Sequence, residues 1–77
     1  MQIIEVRWID STEYPEQVSA REDWEVSTMQ TVGYVIEETD DYVVLAQELC
    51  GKDVRRVIVI PDVCILERRA WIDTEQT

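Results

Sequence analysis

The chain of 77 residues contains no histidine and only two cysteines, two glycines and two prolines. Without histidine, the Ser-His-Asp and Cys-His arrangements are excluded, and so is acid–base work by an imidazole. Two cysteines with no histidine do not complete a zinc tetrahedron within one chain. They form at most one disulfide, and the opening MQIIEVRW reads as a strand rather than a secretory signal. Cys50 and Cys64 are therefore expected as free thiols in a reducing cytoplasm. The chain has no Gly-rich phosphate loop and no paired-glycine dinucleotide fingerprint. Apolar runs such as residues 57–60 are far too short to span a bilayer, so no membrane association is expected.

Basic residues are also scarce, at seven against seventeen acids, for a formal net charge of −10. The imbalance is local. Residues 1–48 carry twelve acids against two bases, Arg7 and Arg21, whereas residues 49–77 carry five of each sign. Phosphate neutralisation over the molecule as a whole is disfavoured, which argues against nucleic acid as a partner. The length is that of one domain, 1–77, and such a chain buries only about 60% of the surface its unfolded form exposes. Self-association is the expected supplement to so small a core.

What is present is strand periodicity. In residues 1–9, Ile4, Val6 and Trp8 alternate with Glu5 and Arg7, the pattern of a half-buried first strand. Residues 10–29 lose the alternation and form a long loop. Pro15, Glu16 and Gln17 resemble a helical first turn, and Ser19 with Glu22 has capping-box spacing, so one short helix is predicted there. From residue 30 the alternation returns, with Val32, Tyr34 and Ile36 on one face and Thr31, Gly33 and Val35 on the other. Apolar residues on both faces imply an outer face that is covered. A mid-strand glycine such as Gly33 marks a bend or a close backbone approach. Residues 37–41 read as a turn and 42–49 as a strand. Cys50-Gly51-Lys52-Asp53 is a second turn, with Gly51 at the position for a positive φ. Residues 54–60 make the next strand, Pro61-Asp62 breaks it, residues 63–68 make a short last strand, and 70–77 form a tail anchored by Trp71. The expected fold is mainly all-β: a small five-stranded, strongly bent antiparallel barrel.

A strand with a central glycine, an acidic turn, Asp-x-aromatic-Val-Val-Leu, a strand, a one-turn break and a last strand together resemble the Sm-like fold, an SH3-like barrel. Gly33, Val35, Asp40, Tyr42, Val43, Val44 and Leu45 stand where the first Sm motif has its glycine, its apolar residue, its aspartate and its apolar strand, over residues 30–69. One residue more separates Gly33 from Asp40 than in the bacterial form of the motif. The resemblance implies subunits whose last two strands pair edge to edge in a ring around RNA. The second motif departs from this. Residues 59–65 read VIPDVCI, with Pro61 and Asp62 where the bacterial family has lysine and histidine, and the eukaryotic Arg-Gly pair is also missing. An aspartate in place of a donor repels phosphate, so a uridine-rich RNA pocket is not implied. The usual helix before the first strand is not seen either. The whole layout also resembles small proteins of bacteriophages and prophages, through Trp8-x-Asp10-Ser11, Thr31-Val-Gly-Tyr34, Val44 to Gln47, Val59-Ile-Pro61 and Cys64-Ile-Leu-Glu-Arg68. That likeness implies an origin, and a role in sequestering or blocking a host component.

Candidate sites follow from what remains. Cys50 lies near Lys52 and Arg55, but a nucleophile with no base partner reads as an ordinary turn residue. Cys64 alternates with core positions and reads as a small buried hydrophobe. Glu37, Glu38, Asp40 and Asp41 lack calcium-loop spacing and read as a solvated turn. Trp8 fits the core, while Trp24 and Trp71 lie outside the predicted strands and are candidate contact residues. Arg55, Arg56, Arg68 and Arg69 would meet if the last two strands were neighbours, either pairing with acids or clamping an anion. The reading is of an oligomeric binding module, not an enzyme and without cofactor, in which these arginines with Trp24 and Trp71 hold a small anionic, nucleotide-like ligand. Its rival is an acidic surface that mimics nucleic acid and binds a basic host protein; an RNA-binding ring comes third.

Overall fold

The computed structural model describes residues 1–11, 15–17, 20 and 24–73. The strands are β1 (Gln2–Asp10), β2 (Ser27–Glu38), β3 (Tyr42–Cys50), β4 (Asp53–Pro61) and β5 (Ile65–Asp73), with a 3-10 turn at Asp62–Cys64. They form one antiparallel sheet in the order β4-β3-β2-β1-β5. The all-β, five-stranded expectation holds; among the described residues no ladder joins the two edges, β4 and β5. Most of the stretch expected to carry a short helix lies outside the described residues, and 15–17 and 20 are not helical.

Three boundaries differ from the expectation. β2 starts at Ser27, inside the predicted loop, because Met29, Thr28 and Ser27 stand opposite Trp8, Ile9 and Asp10 of β1. Backbone pairing with an existing strand overrides the polar local composition. The last strand begins at Ile65, since the 3-10 turn takes the two residues before it, and it runs on through Asp73. Ala70, Ile72 and Asp73 pair with Ile4, Ile3 and Gln2, so the supposed tail is strand up to that point and Trp71 lies within it.

Cross-strand register decides which side chains form the core. Ile4, Val6 and Trp8 share a face with Gly33, Thr31 and Met29 across the β1–β2 ladder. Leu45 stands between Val35 and Ile58, and Val43 opposite Ile60, on that same face. Ile4, Val6, Trp8, Val43, Leu45 and Ile60 form the buried cluster, with Val35, Ile58 and Ile65 packed against it. Val6, Val43, Leu45 and Ile60 are at most 1% exposed. Full burial of such a side chain contributes about 1.5–3 kcal/mol, so each is a large share of a small domain's stability. The one buried polar side chain among the described residues is Thr31, whose hydroxyl accepts a 3.0 Å bond from the Trp8 indole N–H. Cys64 is only half-buried, because the 3-10 turn carries it out of the strand alternation.

At Gly33 the backbones of β2 and β3 come close together. A Cβ there would lie 2.9 Å from the Ala46 carbonyl oxygen and 3.1 Å from the Leu45 Cβ, closer than a side chain tolerates. A register shift follows two residues later, between Val35 and Glu37, and leaves Ile36 bulged. The turn after β2 is built on Thr39. Its Oγ1 accepts from the N–H groups of Asp41 (3.1 Å) and Tyr42 (3.2 Å), and its own N–H donates to the Tyr42 carbonyl at 2.9 Å. Gly51 has φ 63° in the β3–β4 turn, as its position predicted. Arg56 also takes a left-handed φ of 56° and interrupts the β3–β4 ladder, which runs unbroken from Val57 to Pro61 and resumes in the same register from Asp53 to Arg55.

Two stability outcomes follow. Gly33→Ala should lower unfolding free energy by about 1–3 kcal/mol, because the backbone of β3 must shift to admit the methyl group. Trp8→Phe should cost about 1–2 kcal/mol by leaving the Thr31 hydroxyl buried without its donor, and adding Thr31→Val should recover part of that loss. Urea unfolding monitored by circular dichroism measures both, and an unchanged midpoint for Gly33→Ala would contradict the close approach.

Candidate functional site

The polar face of β1 is the reverse of the core pattern. Glu5 and Arg7 alternate with Ile4, Val6 and Trp8, so they point away from the core, where Arg69 and Glu67 of β5 stand directly opposite them. On the other flank Gln30 of β2 stands opposite Arg7. The Glu5 carboxylate collects three donors: Gln30 Nε2 at 2.9 Å, the Trp71 indole N–H at 3.1 Å and the Arg69 guanidinium at 3.3 Å. Arg7 reaches Glu67 at 3.6 Å. Glu5, Arg7, Gln30, Glu67 and Arg69 line a shallow depression of about 200 Å³. That is below the roughly 300 Å³ at which drug-sized ligands are enclosed, so it fits a phosphate- or carboxylate-sized group.

The electrostatics centre on Glu5, whose side chain is only 16% exposed. The hydrogen bond from Gln30, then that from Trp71, hold its carboxyl below the usual glutamate value, Arg69 adds to this, and partial burial opposes it. Elsewhere Tyr42 donates to Glu37 at 2.7 Å, which pushes the phenol's pKa up.

The six residues singled out from the sequence divide among separate places. Arg69 and Trp71 meet at Glu5. Arg68 alternates to the other face and pairs with Glu38 at 2.6 Å. Arg55 and Arg56 both reach Glu48, at 3.4 and 3.2 Å, near the β3–β4 turn. Trp24 is 56% exposed and precedes β2. The four arginines do not form one group, because β4 and β5 lie at opposite edges of the sheet with three strands between them. Glu5, Arg7, Gln30 and Glu67 were not among the site residues expected from the sequence. The alternation in residues 2–9 and 65–69 turns them to one face, but only the register sets them side by side.

Chemically the depression offers guanidinium donors on Arg7 and Arg69 and an amide on Gln30, and its Glu5 also takes a bond from the Trp71 indole, a residue 58% exposed. Two carboxylates balance the two guanidiniums, so it suits one small anionic group better than a polyphosphate. Of the four acids in the β2–β3 turn region, Glu37 and Glu38 are engaged by Tyr42 and Arg68. Among the described residues no three His, Cys, Asp or Glu side chains converge to hold a metal ion. The fold and this face define a small all-β domain with a polar, strand-borne depression. No family model, curated protein or solved structure matches the chain.

A depressed pKa in the folded state means that the Glu5 carboxylate stabilises the fold above the ordinary glutamate pKa and that this contribution is lost as pH falls through the folded value. A carbon-detected NMR titration should place the Glu5 midpoint below 4.5. Gln30→Ala should move it up towards that value, and a midpoint unchanged by Gln30→Ala would show that the amide does not set it.

Proposed function

We propose that this chain is a non-enzymatic, self-associating binding module with an Sm-like barrel, of the type carried by bacteriophages and prophages. It acts in the bacterial cytoplasm by holding a small anionic, nucleotide-like ligand and withholding it from the host. The observation that carries the ligand reading is the meeting of Arg69 with Arg7 and Gln30 around one depression, whose Glu5 is also bonded by the Trp71 indole. Guanidiniums bind phosphate or carboxylate oxygens through directed donors, and the indole of the exposed Trp71 stacks on a flat ring too large for the depression itself. The anion would take the place of Glu67 on Arg7, whose 3.6 Å contact is the longest ion pair in the network. The Sm-like reading draws on the close approach at the mid-strand Gly33, the acidic turn and the one-turn break between the last two strands. Self-association draws on two nine-residue edge strands carrying the exposed side chains of Val57, Val59 and Leu66.

A second reading has its own observation. The Asp62 N–H donates to the Asp41 carbonyl at 2.8 Å, which draws the 3-10 turn onto the β2–β3 turn and gathers Asp40, Asp41 and Asp62 at one end of the sheet. An acidic end of this kind would meet a basic host protein, with strong dependence on salt. An RNA-binding ring has least support, since Asp62 and Pro61 offer phosphate no donor.

Calorimetric titration with nucleoside monophosphates and cyclic dinucleotides tests the ligand reading. At least one should bind, and Arg69→Ala or Arg7→Ala should each weaken it about tenfold or more, about 1.4 kcal/mol, with the fold retained by circular dichroism. Binding indifferent to both substitutions, or binding by none of the probes together with capture of a basic protein, would move the function to the acidic end.

A further inference from the structure

We infer that two copies of this chain join through β4, antiparallel and symmetric about Val59, so that the basic end of each β4 lies against the acidic end of the other. The inference rests on the self-association proposed above and specifies its geometry. In an antiparallel ladder the N–H and C=O of each residue point to the same side, and the side alternates along the strand. Asp62 donates to Asp41 on the β3 side, in register with Tyr42 opposite Pro61. Pro61, which has no N–H to offer, therefore faces away from β3, and alternation turns the backbone groups of Val59 and Val57 to the open edge as well.

The regular stretch of that edge is short. The left-handed φ of Arg56 interrupts it on one side and the 3-10 turn ends it on the other, leaving residues 57–61. Pairing this stretch with itself places Val59 opposite Val59 of the second copy, with reciprocal N–H to C=O bonds. Val57 comes opposite Pro61 and donates to its carbonyl, so the missing donor of Pro61 falls at the margin.

Side chains favour the same register. Val59 and Val57 are 57% and 47% exposed on the outer face, and two copies would shield these side chains against each other. One step beyond the paired stretch, Arg56 comes opposite Asp62 of the second copy. In the isolated chain, Arg56 shares the single carboxylate of Glu48 with Arg55, so the basic end has guanidinium donors to spare. Val63, 94% exposed, comes opposite Arg55 of the second copy, whose aliphatic stem it can cover. The β5 edge and the depression around Glu5 stay open in such a dimer.

Val59→Cys in a Cys50→Ser/Cys64→Ser background, treated with a short bismaleimide, tests this alongside light-scattering mass measurement of the full chain. The expected result is a dimer that cross-links through position 59 alone. An oligomer that fails to cross-link at 59 but does so when Leu66→Cys is added would place β4 against β5 and overturn the symmetric geometry while leaving self-association intact. A monomer with no cross-link would overturn both. Charge exchange gives an independent reading that no cysteine variant affects. Arg56→Asp and Asp62→Arg should each weaken the dimer about tenfold, and combining them in one chain should restore it to within about threefold, because each copy then carries the exchanged pair. Failure of the double substitution to recover would count against the register.

Discussion

β2 and β3 can pack as closely as they do because no side chain stands between the backbone of Gly33 and the β3 strand beside it. With the Ala46 carbonyl 2.9 Å from where a Cβ would be, any side chain at this position would push β2 and β3 apart. The approach brings Leu45 and Val43 onto the same small core as Ile4, Val6 and Trp8. Register slips at Ile36 in β2 and at two points along the β1–β5 ladder. The core that results is thin. One polar link, from the Trp8 indole to Thr31, is tolerated inside it because both partners are satisfied.

The rest of the chain's chemistry is on the outer face. Glu5 sits on the central strand of the β2-β1-β5 part of the sheet and takes donors from both neighbours, so one carboxylate ties three strands together. A site carried on paired strands holds its side chains more firmly than one on a loop, which suits recognition of a small group by a few directed donors. The same network accounts for the near-neutral balance of the depression in an otherwise acidic molecule. Arg7 and Arg69 are among its few bases, and each is matched locally by a carboxylate.

Local signals in the sequence were read well where they depend on a residue's own geometry. Ile4, Val6 and Trp8 alternate because β1 has one buried face; Gly33 and Gly51 mark a close approach and a positive φ; Pro61 ends β4. What could not be read depends on which strands become neighbours. Residues 27–29 have little strand character of their own and become strand only against 8–10 of β1. Arg55 and Arg68 resemble one another in sequence, yet three strands separate β4 from β5 and each finds a different acid. The same reason explains the site. Arg69 and Trp71 were legible as a cation beside an exposed aromatic, whereas Gln30 and Glu5 are twenty-five residues apart and meet only through the register of β1 on β2. Trp24 is exposed, as an aromatic outside the strands would be.

Charge and open edges act on each other. With a net charge of −10, two copies repel at distances up to the Debye length, about 8–10 Å at physiological salt, so indiscriminate edge-to-edge pairing is discouraged despite exposed valines on β4. The repulsion is not uniform, because Lys52, Arg55 and Arg56 outnumber Glu48 and Asp53 at one end of β4 while Asp40, Asp41 and Asp62 gather at the other. A parallel approach of two β4 edges would set acid against acid and base against base. An antiparallel approach exchanges them, so the Coulomb term selects orientation before any backbone bond forms. Arg56 acts in two ways: its left-handed backbone shortens the regular edge, and in the proposed dimer its guanidinium would stand where the pairing stops.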